Sequence, residues 1–300
     1  MEYQFHTADV FTDKAFSGNQ LAVLTDARGL VDAQMRAIAR EFNLSETVFV
    51  LPPEDARNTR RIRIFTPGSE LPFAGHPTVG TAFVLAATGA IELDGDATQI
   101  VFEENVGPVP VTIRAEGGKP VFSQLTAAKI PEKGDYRYDA KEIAATLSLE
   151  ESDLDRGHGN AIEPWSAGVP FLFVPVKTLE ALGRARINLE RWEKTLRDTW
   201  APEPYVFFEK DGVYRARMFA PDIGIAEDPA TGGACAAFGG YIAARSTVSD
   251  GTLRHTVHQG VEMGRPSRID VEVDLANGQV TAVRVGGSSV LVSSGTLFVP

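Results

Sequence analysis

Apolar and polar residues alternate along much of this chain at the two-residue period of half-buried strands, and the helical period surfaces only in short stretches. The first 25 residues read as a hairpin, with Phe5, Val10 and Phe11 on one arm, a Ser17-Gly18-Asn19-Gln20 turn, and Leu21 to Leu24 on the other. Met35, Ile38, Ala39 and Phe42 recur at helical spacing, which predicts a helix that Asp32 can cap and Asn43 can end. Strands are predicted at 47–51, 61–65, 99–102 and 108–114. Polar, proline-containing stretches at Lys119-Pro120 and at 129–139 predict the linker. Beyond it come helices at 140–147 and 189–199 and a strand at 171–176. A hairpin of 205–208 and 213–219 turns around Asp211-Gly212, and strands at 268–273 and 280–285 flank Asn277-Gly278.

Two segments break the alternation. Residues 78–87 and 234–244 show hardly any polar face, and a helix apolar all round must be buried all round. Each is predicted to be a central helix wrapped by a curved sheet of its own half. Interior glycines cost such helices roughly 1 kcal/mol each relative to alanine, which burial has to offset. Both follow a copy of one phrase, Arg63-Ile64-Phe65-Thr66-Pro67 and, 154 residues later, Arg217-Met218-Phe219-Ala220-Pro221. The duplication predicts two pseudo-symmetric α+β halves, residues 1–125 and 126–300, each a curled, mainly antiparallel sheet around its helix, with one site built between them. In the second copy His76 has Thr231 or Gly232 as its counterpart.

Composition narrows the function. Forty acidic against 29 basic residues give a formal charge of −11, which repels nucleic-acid backbones and anionic membranes. No basic, apolar leader and no membrane-length apolar run is present, so a soluble cytoplasmic protein is expected. The single Cys235 rules out an intramolecular disulfide and a cysteine-rich zinc site. His255-x-x-His258 alone reads as surface histidines, not as a metal centre. The glycines at 232–240 do not form G-x-G-x-x-G and lie in no βαβ unit, which argues against a nucleotide cofactor. No cofactor and no metal are expected.

The candidate chemistry lies where each apolar helix begins. Pro77 suits the first helical position and Thr231 is a natural N-cap. Both helix N-termini then present free N–H groups and a positive dipole end, able to hold a small carboxylate through Gly75 and Gly232; the bland alternative is that these glycines only make turns. His76, at such an N-terminus, is expected to be neutral near pH 7. Asp228 is either a turn acid or part of the site. Glu46, at the head of a strand, is either solvated or a general base directed into an apolar cleft.

Gly18-Asn19-Gln20, Ser45-Glu46-Thr47, Phe65-Thr66-Pro67 with Glu70 to Pro77, Glu227-Asp228-Pro229-Ala230-Thr231-Gly232, and Gln259-Gly260 with Met263-Gly264-Arg265-Pro266-Ser267 resemble the PhzF-like (phenazine biosynthesis) family, in order and over nearly the whole chain. That family is related in fold to diaminopimelate epimerase and proline racemase. The resemblance implies that a last strand, 290–300, returns to the first half, and that the protein is a homodimer. It also implies cofactor-independent proton transfer on a small carboxylate-bearing substrate, as in dihydro-3-hydroxyanthranilate isomerisation. The implied catalytic residues are Glu46 as general acid/base, His76 and Asp228; the implied substrate contacts are Asn19, Ser45, Gly75, Gly232 and Gly233. The thiols of two-cysteine relatives would fall at Ala74 and Thr231, so a two-thiol mechanism is excluded and Cys235 reads as packing. The family commonly has serine where this chain has Gly233. A different reading of the same motifs is a family member that binds a small carboxylate without turning it over.

Overall fold

The alternating segments pair into ladders, and the two apolar segments form helices inside them. The computed structural model describes residues 1–157 and 159–300. It divides into one unit of residues 1–128 with 284–300, and a second of 129–283. The first contains β1 (Glu2–Val10), β2 (Asn19–Leu24), α1 (Asp32–Phe42), β3 (Glu46–Leu51), β4 (Arg60–Phe65) and β5 (Glu70–Leu71). It continues through α2 (Gly75–Ala87), β6 (Ala97–Glu104), β7 (Gly107–Glu116) and β8 (Lys119–Thr126). The second holds β9 (Glu132–Lys133), α3 (Ala140–Thr146), β10 (Glu163–Ser166), β11 (Pro170–Pro175), α4 (Leu179–Arg184) and α5 (Leu189–Thr195). Then come β12 (Pro204–Lys210), β13 (Val213–Ala220), β14 (Ile225–Asp228), α6 (Gly232–Ala243), β15 (Gly251–Gln259) and β16 (Ser267–Ala276). The chain ends with β17 (Gln279–Gly287) and β18 (Ser289–Phe298).

The duplication reappears as a duplicated ladder. In the first unit β2 runs parallel to β3, β3 antiparallel to β4, β4 antiparallel to β5 and parallel to β6, and β6 antiparallel to β7. In the second, β11, β12, β13, β14, β15 and β16 repeat those senses in that order. The repeated phrase lies on β4 and on β13, and its arginines have one job in both. Arg63 grips Glu70 with Nε to Oε1 at 2.8 Å and Nη2 to Oε2 at 2.7 Å, and Arg217 grips Glu227 through the same atoms at 2.7 Å each. Each guanidinium also lies 5.1 Å from the ring centroid of the phenylalanine two residues on. Such two-pronged pairs fix direction as well as distance, so each short loop back from β4 or β13 is pinned.

Both apolar helices are buried along nearly their whole length, α2 from Gly75 to Ala86 without a break. Glycine permits the close approach: a Cβ on Gly80 would stand 2.5 Å from Val10 and 2.6 Å from Leu21, and one on Gly240 2.5 Å from Pro131 and 2.7 Å from Trp165. The opposite faces of the sheets are covered too. α1 buries Met35, Ile38 and Ala39 with Leu24, Phe49 and Phe65, and Leu182, Trp192 and Leu196 cover Leu172, Val174 and Val206. A strand covered on both faces loses its alternation, and β3 is buried from Glu46 through Val50.

Several local expectations need correction. Val31, not Asp32, occupies the cap position of α1, because the Asp32 carboxylate is taken by Arg63 at 2.6 Å. Lys119-Pro120 is not linker: Gly117 and Gly118 turn at φ 57 and 76, and Pro120 enters β8 at a register shift, where a missing N–H is tolerated. The unit boundary falls after residue 128 where 125 was expected, and the returning segment begins at 284 where 290 was expected. The reason is β17, a single long strand whose residues Arg284–Gly287 already pair with β8 before β18 pairs along β1. Helix 189–199 stops at Thr195, and α4 and β15 carried too little periodicity to be anticipated.

Candidate active site

In the first unit the site residues are brought together by register. β2 and β3 run parallel with Leu21 opposite Glu46, so Asn19 and Glu46 lie at neighbouring strand ends, and α2 delivers His76 in its first turn. Asn19 Nδ2 lies 3.1 Å from His76 Nδ1, and His76 Nε2 lies 3.2 Å from Glu46 Oε2. All three side chains are buried. Burial pushes the imidazole pKa down to about 3, against a smaller opposing effect of a backbone hydrogen bond at Gln20. The expected neutral imidazole is therefore present, but desolvation is its main cause, where the helix dipole had been invoked. The Asn19 amide, as oriented, donates to Nδ1 and leaves the ring proton on Nε2, whose nitrogen is 3.2 Å from Glu46 Oε2 without the alignment of a hydrogen bond. Glu46 is buried, so its side chain is not the solvated one of the two readings. Ser45 precedes it, half-exposed.

Gly75 opens α2 after Ala74, whose backbone is extended and whose side chain cannot cap the helix. The turn is held instead from further in. Thr78 Oγ1 donates to the Ala74 carbonyl at 2.8 Å and lies 2.6 Å from Oε1 of buried Glu104, at the end of β6. Burial raises the Glu104 pKa to about 8, with the Thr78 hydrogen bond working the other way.

In the second unit Asp228 ends β14 and is buried. Thr231 stands at the cap position of α6 but does not cap it: its hydroxyl donates to Asp228 Oδ2 at 2.5 Å. Gln259, fully buried at the end of β15, holds Thr231 in place. Its Oε1 accepts from the Thr231 N–H at 3.2 Å, and its Nε2 donates to the Asp228 carbonyl at 2.8 Å and to Thr231 Oγ1 at 2.9 Å. Behind it, Ser267 Oγ donates to the Pro229 carbonyl at 2.8 Å. Gly260, at φ 72, passes so close that a Cβ would meet the Pro229 carbonyl at 2.6 Å, so only glycine fits there. Gly232 is buried and Gly233 half-buried, with only Phe171, at 3.9 Å, near a would-be side chain on Gly233.

The ladders give the residue correspondence. Ile64 faces Leu71 and Met218 faces Asp228, which sets Leu71 against Asp228, Ala74 against Thr231, Gly75 against Gly232, and His76 against Gly233. The counterpart of His76 is thus Gly233, one or two residues beyond the positions expected. The missing serine of the family falls at the same place, opposite the histidine. Cys235 is buried 3.5 Å from the Tyr205 hydroxyl with its thiol pushed up to about 12, an unreactive state that agrees with packing. Sequence reasoning missed Glu104 and gave Gln259 no role; the Gln-Gly step in its motif was the available signal.

Among the described residues no helix is long and apolar enough to cross a membrane. The family model described as phenazine biosynthesis-like protein matches residues 8–295. An uncharacterized isomerase of Mesorhizobium japonicum is 43% identical over 97% of both chains. The trans-2,3-dihydro-3-hydroxyanthranilate isomerase of Pseudomonas aeruginosa is 33% identical over 99% of both. Among solved structures, a PhzF-family phenazine biosynthesis protein of Bacillus anthracis matches with a TM-score of 0.88 and 28% identity over the full length of both chains. A hydroxyproline epimerase of Agrobacterium vitis shares the fold alone, at a TM-score of 0.62 and 13% identity over 99% of this chain and 92% of its own. With motifs, ladder and comparisons in agreement, the chain belongs to the phenazine biosynthesis-like family and is an isomerase.

Proposed function

We propose that this isomerase moves a proton on a small, carboxylate-bearing substrate without a cofactor, with Glu46 as general acid/base. The carrying observation is the buried Asn19–His76–Glu46 array, in which a neutral imidazole touches the carboxylate at 3.2 Å. Glu46 takes the proton from a substrate carbon, the C–H electron pair staying in the unsaturated frame, and a new C–H bond forms at a second carbon. His76 orients Glu46 and shares in proton return. Asp228 serves as the second acid. Backbone N–H groups at Gly75, Gly232 and Gly233 bind the substrate carboxylate, with Asn19 and Ser45 as polar contacts.

Trans-2,3-dihydro-3-hydroxyanthranilate, the substrate named for the Pseudomonas aeruginosa relative, is the first compound to try. Isomerisation in deuterated water, followed by mass spectrometry, is expected to place deuterium on carbon. Glu46→Gln is expected to slow it by about 10²- to 10⁴-fold. Equal rates in the two proteins would remove Glu46 from the mechanism. A second reading, ligand binding without turnover, draws on Gly233, which has no hydroxyl where relatives commonly have serine. It predicts thermal stabilisation by the same compound with no deuterium incorporated.

A further inference from the structure

The ladder registers also align β6 with β15. Arg61 faces Glu103 across β4 and β6, and Arg215 faces His258 across β13 and β15; Arg61 and Arg215 are equivalent, so Glu104 and Gln259, one residue on, are equivalent too. Each is buried, and each hydrogen-bonds a threonine at the opening of its unit's central helix, Thr78 in the first turn of α2 and Thr231 at the cap position of α6. The equivalent strand ends thus each brace the opening of a central helix, on threonines that are not themselves equivalent, since Thr78 answers to Cys235 and Thr231 to Ala74. In the second unit that brace reaches a proposed catalytic group.

We infer that Gln259 is a positioning residue for Asp228, acting through the Thr231 hydroxyl. By donating Nε2–H to Thr231 Oγ1 it occupies that oxygen as an acceptor, so the hydroxyl proton is directed to Asp228 Oδ2. The same amide group donates to the Asp228 carbonyl, while its oxygen takes the Thr231 N–H. One side chain thus fixes the backbone, the hydroxyl rotor and, through it, the carboxylate. It also takes the Thr231 N–H, while the Thr231 hydroxyl, held on Asp228, does not turn onto the N–H groups of Gly232 and Gly233. Glutamate in its place keeps the volume and the acceptor but, when ionised, lacks the donor and draws the Thr231 proton to itself.

The inference rests on the reading of Asp228 given above, and two readouts on the full-length protein separate the two. The first is independent of catalysis. Amide hydrogen exchange at Thr231 is expected to be slow in wild type and in Gln259→Glu, and fast in Gln259→Leu. Unchanged protection in Gln259→Leu would overturn the brace. The second is turnover of trans-2,3-dihydro-3-hydroxyanthranilate. Gln259→Glu and Thr231→Val are each expected to lower kcat roughly ten- to hundredfold with little change in KM, and the double variant is expected to be no slower than the slower single one. Thr231→Ser is expected to recover most of the loss. Multiplicative losses in the double variant, or wild-type kcat in Gln259→Glu while Asp228→Asn is inactive, would overturn the positioning role and leave the reading of Asp228 intact. Wild-type turnover in Asp228→Asn would sink that reading itself, leaving the exchange result to decide on the brace alone.

Discussion

His76 is the residue whose chemistry depends most on its surroundings. With its pKa held near 3 by burial, it is neutral throughout the range in which the enzyme can be assayed. Nitrogen-15 NMR of the imidazole is accordingly expected to show no titration between pH 5 and 8; a midpoint near 6.5 would contradict the buried, neutral assignment. The sign for stability follows from linkage. The native pKa lies below the unfolded value of 6.5, so the unfolded chain binds more protons in the interval, and this contribution to stability is lost as pH falls from about 6.5 towards 3. At this scale the sequence named His76, Glu46 and Asp228 as candidates through the family motifs they stand in. It did not show which nitrogen carries the proton, because Asn19 reaches His76 from 57 residues away.

Among the elements, the two copies of the strand bearing the repeated phrase allow a comparison within one chain. Arg217 is nearly inaccessible and, besides Glu227, donates to the carbonyls of Leu182, Gly183 and Ala185, whereas Arg63 is 15% exposed and shares its charge between Glu70 and Asp32. Removing one partner of a buried pair leaves the other charge uncompensated, at about 3–5 kcal/mol. Arg217→Met is therefore expected to lower the urea midpoint well beyond Arg63→Met, and equal shifts would mean that both arginines are effectively solvated. The same strands contain a second correspondence. Phe49 faces Arg63 and Val206 faces Arg217; three residues before each stands a glutamate, Glu46 and Glu203. Gly233 holds the place of His76 in this copy, so the equivalent of the His76 imidazole is missing beside Glu203, whose neighbour is Asp222. The phrase and its spacing were legible in sequence as a repeat. Its purpose, a two-pronged clamp under a phenylalanine, was not, because the acid partner lies seven residues on in one copy and ten in the other.

On the scale of the whole molecule, two buried carboxyl groups are expected to lower stability on the alkaline side. Burial raises Glu104 and Glu203 to about 8, with Asp222 adding to the effect at Glu203. Both native pKa values exceed the unfolded value of 4.5, so the native state holds more protons, and stability declines as pH rises from about 4.5 through 8. Glu104→Gln keeps a hydrogen-bonding group beside Thr78 and is expected to exceed wild type in stability at pH 9 by at least about 1 kcal/mol, the worth of one pKa unit. Thermal melts at pH 6 and pH 9 measure the difference; a gap that does not widen with pH would place the ionised carboxylate in solvent. The sequence by itself determined the duplication, the two central helices and the candidate acids, because strand alternation, all-round apolarity and repeated motifs are local properties of the chain. Tertiary structure alone decided which position in one half answers to which in the other, that Glu46 is buried, and that Thr231, held by Gln259 and Asp228, does not cap α6. Those outcomes depend on strand register and on hydrogen bonds between residues tens of positions apart, and each residue's type is compatible with several partners until the ladder selects one.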